Sequence, residues 1–375
     1  MKDAWKLRTA ALAGIVVPAV ALGQVPDVVD ALDAGGRAMG LGGAIYQTGA
    51  DTVSTALNPA GLGFVNRPTV GFAGRTLPTT RTTVTGEVSD LRLSTAQEGG
   101  DYKLTHLGYS APTRGSKSAF GIAYTVVGWM NDTQAGQNLD NGVQSYFDHA
   151  KVKTDFLTLG YGQSNGSQSL SWGFQLIVAL QNIDAFQRIV FSDSNIPPQE
   201  AESHDKGTGV GGAFGLMFAP PSQSHMTIGL TVRSPIEVQR GGPGVDLYPT
   251  IPGRAALGIA LLQDGYRDGR DSMLYGGQIE YYYGGKGSSR VNRKDHFAGG
   301  IGFEYLYMMG DATIPVRAGF RFVEAGGDDF TSSQGFTYGV GYRPLNADWG
   351  IDVSFGKQNK GGTATSVSFS YRLPN

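Results

Sequence analysis

The chain has 375 residues, enough for two or three ordinary soluble domains or for one large barrel. Hydrophobic residues make up 40% and the mean hydropathy is -0.17, which argues against a polytopic helical membrane protein but not against a barrel, where alternate residues face lipid. The 30 basic and 32 acidic residues are mixed along the chain and there is no cysteine, so nothing points to nucleic acid, a disulfide framework or a cysteine metal site.

Lys2, Lys6 and Arg8 form a basic start, and Thr9 to Leu22 is small and apolar. Ala21-Leu22-Gly23 ahead of Gln24 places small residues where a signal peptidase reads them. Roughly 14 apolar residues interrupted by Pro18 are too few to span about 30 Å of hydrocarbon. Residues 1–23 are therefore expected to be a cleaved export signal. Residues 24–66 are rich in Ala, Gly and Asp, lack a period of two, and carry a possible short helix at Asp27 to Leu32. So short a segment cannot form its own core and must pack against something else.

From Thr69 the pattern becomes alternation and stays so to the end. Val367, Phe369, Tyr371 and Leu373 alternate with Ser366, Ser368, Ser370 and Arg372; Phe336, Tyr338, Val340 and Tyr342 alternate with Thr337, Gly339, Gly341 and Arg343. A period of two puts each set on one face of a sheet. About fourteen such runs of roughly ten residues, the length a tilted strand needs to cross a bilayer, are expected. Their centres fall near Phe72, Thr105, Ala123, Leu157, Phe174, Ala213, Leu230, Leu257, Gln278, Gly302, Gly319, Gly339, Val353 and Phe369.

Long polar connections (76–101, 129–152, 183–207, 234–252) alternate with short ones (111–117, 163–167, 219–224, 344–347). An outer-membrane barrel has long extracellular loops and short periplasmic turns, and a soluble sandwich gives no reason for that alternation. The expected fold is all-β: an antiparallel transmembrane β-barrel over residues 67–375, with the 24–66 segment inside it. One face is aliphatic and aromatic; the other carries Gly, Ser, Thr and charges such as Glu280, Glu304, Arg317, Arg321 and Asp352. Tyr281 to Tyr283, Tyr305, Tyr307 and Trp349 lie near strand ends, where amphipathic rings favour a membrane interface.

Gly207, Gly209 and Gly212 have the spacing of a dinucleotide loop but open an alternating stretch, not a helix, and read as thin lumen-facing positions. The five histidines are scattered. Asp264, Asp268 and Asp271 lack calcium-loop spacing and read as a solvated turn. No metal, cofactor or catalytic constellation emerges, and the chain is read as a non-enzyme.

Ala34-Gly35-Gly36-Arg37-Ala38-Met39-Gly40-Leu41-Gly42-Gly43-Ala44, then Asp51 and Leu57-Asn58-Pro59-Ala60-Gly61-Leu62, resembles the FadL-type outer-membrane transporters and their PorV-type relatives. Ile314 to Phe320 and Phe336 to Arg343 look similar to that superfamily as well. The resemblance implies a hatch within a fourteen-stranded barrel, with Arg37, Gly40, Gly42, Gly43, Asn58 and Pro59 as its marker residues. It implies a place in the cell outer membrane, among outer-membrane lipid, and uptake of a hydrophobic small molecule such as a long-chain fatty acid. The PorV-type branch instead implies a secretion-system protein as partner. The chain ends Tyr371-Arg372-Leu373-Pro374-Asn375, whereas many outer-membrane barrels end on an aromatic residue. A fatty-acid carboxylate would want an arginine, and Arg317, Arg321, Arg254 and Arg343 are the lumen-facing candidates. The competing reading pairs them with Glu280, Glu304 and Asp352 as structural ion pairs.

Overall fold

The computed structural model describes residues 35–45, 47, 51–76, 80–83, 92–97, 102–113, 117–139, 143–220, 225–240, 250–286, 293–327, 332–357 and 363–374. The expected export signal, the helix at Asp27 to Leu32 and the rest of residues 24–34 lie outside the described residues.

Fourteen antiparallel strands form the wall. They are β1 (Thr69–Thr76), β2 (Tyr102–Pro112), β3 (Ser118–Leu139), β4 (Val143–Ser164), β5 (Leu170–Phe191), β6 (Gln199–Phe218) and β7 (Met226–Arg233). The second half comprises β8 (Gly253–Gly265), β9 (Asp271–Tyr283), β10 (His296–Met309), β11 (Ala312–Val323), β12 (Ser333–Pro344), β13 (Trp349–Lys357) and β14 (Thr363–Arg372). Each expected centre falls within one strand. β14 pairs back onto β1, with Thr69 opposite Arg372 and Thr76 opposite Thr365. The sheet is therefore a closed barrel, which leaves no unpaired edge facing hydrocarbon.

Alternation sets the two faces. Phe120, Ile301 and Phe336 point outward and are 57%, 63% and 71% exposed, whereas the inward Ala119, Ala298 and Thr337 are buried. So large an exposed apolar surface is stable against lipid rather than water, and a closed barrel wearing it has a membrane-spanning architecture.

Four expectations need correction. The connections 129–152 and 183–207 are mostly strand: β3 and β4 pair from Ser118–Gln163 up to Leu139–Val143, and β5 and β6 pair out to Ile189–Gln199. Backbone pairing needs no apolar side chain, so a polar hairpin continues its ladder into water beyond the lipid belt. Within 76–101, Thr80–Thr83 pairs with Arg92–Gln97. Second, Gly212 shares its phase with the exposed Val210 and Phe214 and faces outward, while Gly207 and Gly209 are buried inside. Third, Tyr282 is 1% exposed on the inner face, stacked on His296 at 4.9 Å; its neighbours Tyr281 and Tyr283 share the other phase. Asp271, expected in a solvated turn, is fully buried and accepts from Tyr305 Oη at 2.5 Å and Met308 N at 2.9 Å.

After Arg233 the chain leaves the wall inward. Ser234 N donates to Gly212 O at 2.9 Å, Ile236 is fully buried over Gly209 and Gly211, and Ile236–Glu237 pairs with Thr250–Ile251. Gln239–Arg240 then rejoins β6 at Thr208 and Gly207.

Candidate functional site

The described residues 35–45, 47 and 51–66 lie against the inner wall. Helix α1 spans Gly36–Gly40, helix α2 spans Thr52–Leu57, and a 3-10 turn covers Pro59–Phe64. Each is short, and capping supplies part of what their length cannot. Asp51 accepts from Val53 N at 2.9 Å at the start of α2. Asn58 Oδ1 accepts from Ala60 N at 3.2 Å, and Pro59 opens the 3-10 turn with φ already set. The Asn58 amide also donates to Leu216 O of β6 at 3.5 Å, tying the turn to the wall.

Inward glycines make this packing possible. A Cβ at Gly300 would stand 2.0 Å from Gly42 O, and one at Gly319 would stand 2.5 Å from Gly42 N. The same holds at Gly121 against Thr55 Oγ1, 2.0 Å, and at Gly162 against Pro59 O, 2.3 Å. At Gly215 the clash would be with Asn58 Oδ1, again 2.0 Å. The small inward residues form a bed for this segment, and any side chain there would push it away. Gly42 and Gly43 hold φ of 62° and 84°, a left-handed turn that favours glycine. Gly40 is also constrained: its Cβ would meet Ser354 Oγ at 2.8 Å.

The charged residues form a chain across this interface. Arg37 of α1 places Nη2 3.0 Å from Glu304 Oε1 and Nε 3.2 Å from Glu304 Oε2. Burial works against the Arg37 charge, yet Glu304 beside it keeps its pKa above the ordinary arginine value. Glu304 also takes Arg317 Nε at 2.5 Å, Arg317 Nη1 donates to Asp352 at 2.7 Å, and Arg343 reaches Asp352 at 3.3 Å. Among the described residues Arg317 Nη2 has no hydrogen-bond partner. Around the barrel, Arg321 pairs with Glu280 at 2.9 Å, and Glu280 accepts from Gln278 and Tyr282. Three of the four candidate arginines thus form ion pairs with the carboxylates that the competing reading named, and the fourth, Arg254, lies within electrostatic reach of Glu280.

Arg254 also faces a second arginine. It stands directly opposite Arg233 on β7. Both point inward, 1% and 2% exposed. Arg254 Nη2 donates to Leu57 O at 3.3 Å and Arg233 Nη2 to Pro252 O at 3.0 Å. Like charges directly opposite each other on neighbouring strands repel, more so where water is excluded. The Arg233 guanidinium lies 5.0 Å from the centre of the Phe156 ring. Phe156 belongs to a buried apolar cluster with Val127, Ile177, Ile236, Val238 and Ile251. Arg233 was not singled out from sequence, although Thr227, Gly229, Thr231 and Arg233 alternate with Ile228, Leu230 and Val232 and mark it as inward.

A small cleft, partly open to solvent, lies between α1, α2 and the wall, lined among others by Arg37, Asp51, His106, Arg343 and Asp352. Inside it, His106 contacts Thr125 Oγ1 at 3.1 Å and Thr52 Oγ1 at 3.4 Å, another join between wall and segment. Among the described residues no group of three or more acidic or histidine side chains is placed to hold a metal.

No family model and no curated protein matches the chain. Solved structures do. A Pseudomonas aeruginosa FadL homologue superposes with a TM-score of 0.61 at 16% identity, covering 94% of this chain and 99% of that one. The P. putida toluene transporter TodX gives 0.64 at 14%, covering 91% and 98%. The Ralstonia pickettii toluene transporter TbuX gives 0.60 at 16%, covering 91% and 98%. The fold is that of the FadL-type barrels. That agrees with the resemblance read at Arg37 to Gly43 and at Asn58-Pro59, and two of those neighbours are toluene transporters.

Proposed function

We propose that this chain is an outer-membrane transporter that takes up a hydrophobic molecule bearing an anionic head, such as a long-chain fatty acid. The barrel occupies residues 67–375, residues 1–23 direct export, and residues 24–66 are a hatch lodged in the lumen. The strand extensions and long connections face outside and the short turns face the periplasm, as in outer-membrane barrels generally.

The observation that carries the anionic head is the Arg233–Arg254 pair beside the apolar cluster. An anion between the two guanidiniums would accept charge-assisted hydrogen bonds from both. Phe156, Ile177 and Ile236 offer the adjoining body of the ligand an apolar surface. The FadL-like transporter neighbours favour transport over the secretion-partner alternative. A lumen filled by residues 35–66 is also unlike an open pore.

The test compares purified protein binding a long-chain fatty acid, the methyl ester of that acid, and toluene. A charge-assisted hydrogen bond contributes about 1.5–3 kcal/mol, so the acid should bind roughly tenfold or more tighter than its ester. Equal affinity for acid and ester would remove the anionic head from the proposal, and tight toluene binding alone would favour a neutral aromatic substrate.

A further inference from the structure

The outer face of β4–β6 carries a feature the transport reading does not use. Its outward positions are in register across the three strands. Leu157, Val178 and Val210 form one row of the lipid-facing belt, and Leu180 extends that belt one row higher. The next row is Lys153, Asn182 and Lys206, and the one beyond it is Lys151, Asp184 and His204. Asp155 and Thr208 flank Leu180 in that row, so the apolar belt ends there, with Lys153 and Lys206 in the row above and Lys151 one row further.

Some of the charge is spoken for. Lys153 lies 2.8 Å from Asp155 and donates to Tyr124 Oη at 2.6 Å. Asp184 is taken by His204 at 2.9 Å, and His204 reaches Glu202 at 3.0 Å. Lys151 and Lys206 have no ion pair or hydrogen bond among the described residues, and both are accessible. Adjacent strands lie about 4.8 Å apart and alternate residues rise about 7 Å, so the stems of Lys151, Lys153 and Lys206 spring from a patch roughly 10 Å across. Flexible lysine stems reach over such a distance and bind phosphate as point charges.

We propose that this patch binds the phosphorylated headgroup of a lipid of the outer leaflet, with the acyl chains of that lipid along Leu157, Val178 and Val210. The occupant follows from continuity: cationic side chains at the rim of an apolar belt meet an anionic headgroup and its tails in one molecule. Asn182 supplies an amide between Lys153 and Lys206. Each lysine near a charged lipid surface contributes about fivefold in affinity.

The experiment uses the full-length protein in neutral detergent, with retained lipid counted by native mass spectrometry. The probes are an acylated glucosamine disaccharide carrying two phosphates, the same lipid without phosphates, and inorganic phosphate as competitor. Wild type should retain the phosphorylated lipid over the dephosphorylated one. The doubly substituted Lys151→Gln, Lys206→Gln protein should lose about thirtyfold of that retention. Lys286→Gln, in the β9–β10 connection and paired with Glu237, should behave as wild type, and heat-modified gel mobility checks that each variant is folded. Retention by the folded double variant equal to wild type overturns the proposal. So does equal retention of the two lipids, or complete displacement by millimolar inorganic phosphate, which would mean a free-anion site. None of these readouts depends on the transported substrate, so the two proposals fail separately.

Discussion

Arg37 and Glu304 stand 267 positions apart in sequence yet meet through two hydrogen bonds of 3.0 and 3.2 Å. One belongs to the N-terminal segment and the other to β10, so this contact holds the expected hatch to the wall. Glu304 has a second cation, Arg317, at 2.5 Å. The consequences of substituting the two partners therefore differ. Arg37→Gln leaves Glu304 neutralised by Arg317 and should loosen the segment at modest cost to the barrel. Glu304→Gln leaves two arginines facing each other in a buried site, and breaking a buried pair that way costs about 3–5 kcal/mol. Planar-bilayer conductance and urea unfolding separate the two: a rise in conductance should dominate for Arg37→Gln, and a lower unfolding midpoint for Glu304→Gln. Identical behaviour would show that the pair does not act as a latch.

The glycine bed gives a second prediction. Gly300→Ala puts a methyl group 2.0 Å from Gly42 O, whereas Gly277→Ala, on the outer face of β9, meets Ile301 Cγ2 at an ordinary 3.9 Å. Overpacking costs about 1–3 kcal/mol, and the backbone of residues 41–43 is easier to displace than a strand paired on both sides. Gly300→Ala should raise protease access to residues 35–66 in an intact barrel, and Gly277→Ala should not. Equal protection in both variants would mean the segment does not rest on this bed.

Much of this arrangement was legible because alternation reports the face of every strand residue. It placed Glu280, Glu304, Arg317, Arg321, Arg343 and Asp352 inside together, and the ion pairs formed among them. Parity does not report height, so the polar halves of β3 to β6 looked like loops although their ladders continue. Nor does it survive where the chain leaves the sheet: Ser234 to Val238 bends inward, and the apolar cluster around Ile236 had no sequence signal. Tyr282 shows the remaining gap, since three consecutive tyrosines look alike until the register with Glu280 and His296 shows which one points in.

Orientation is tested by labelling, since the chain has no native cysteine. Ser194→Cys lies in the exposed turn between β5 and β6, and Ser167→Cys in the short exposed turn between β4 and β5. An impermeant thiol reagent applied to intact cells should modify the first and spare the second. The reverse pattern would invert the barrel and move the lysine patch to the inner leaflet.

The ends of the barrel meet at Arg67, which makes hydrogen bonds of 2.6 and 2.9 Å to Asp348 and one of 3.2 Å to Leu373 O. The hydrogen bonds from Arg67 hold the Asp348 carboxyl below its ordinary pKa. A depressed carboxylate stabilises the folded state above its unfolded pKa and loses that contribution as pH falls through the folded value. Acidification into that low range should therefore increase amide exchange at the β1–β14 seam, and Asp348→Asn should reproduce the effect at neutral pH. The pair is exposed, so the change in global stability should be small. Seam exchange that ignores both acid and Asp348→Asn would show that strand pairing alone closes the barrel.

The arginines separate into two groups with opposite expected responses. Arg317 and Arg321 each hold a buried carboxylate, so Arg317→Ala leaves Glu304 with Arg37 alone and Asp352 with Arg343 alone, Arg321→Ala takes from Glu280 its cation at 2.9 Å, and both should lower the unfolding midpoint. Arg233 faces Arg254 across adjacent strands, so Arg233→Gln removes a like-charge contact while an amide remains to reach Pro252 O. Stability should change less than in the two ion-pair variants. Affinity for a long-chain acid should nevertheless fall by roughly tenfold or more, because a charge-assisted hydrogen bond of about 1.5–3 kcal/mol is lost. The methyl ester of the same acid should bind both proteins alike. Measuring acid and ester binding with urea midpoints for all three variants places each arginine on one side. If Arg233→Gln left acid affinity intact while Arg317→Ala abolished it from a folded barrel, the head group would sit on the β10–β13 side, where Arg317 Nη2 has no hydrogen-bond partner among the described residues, and the Arg233–Arg254 pair would be structural.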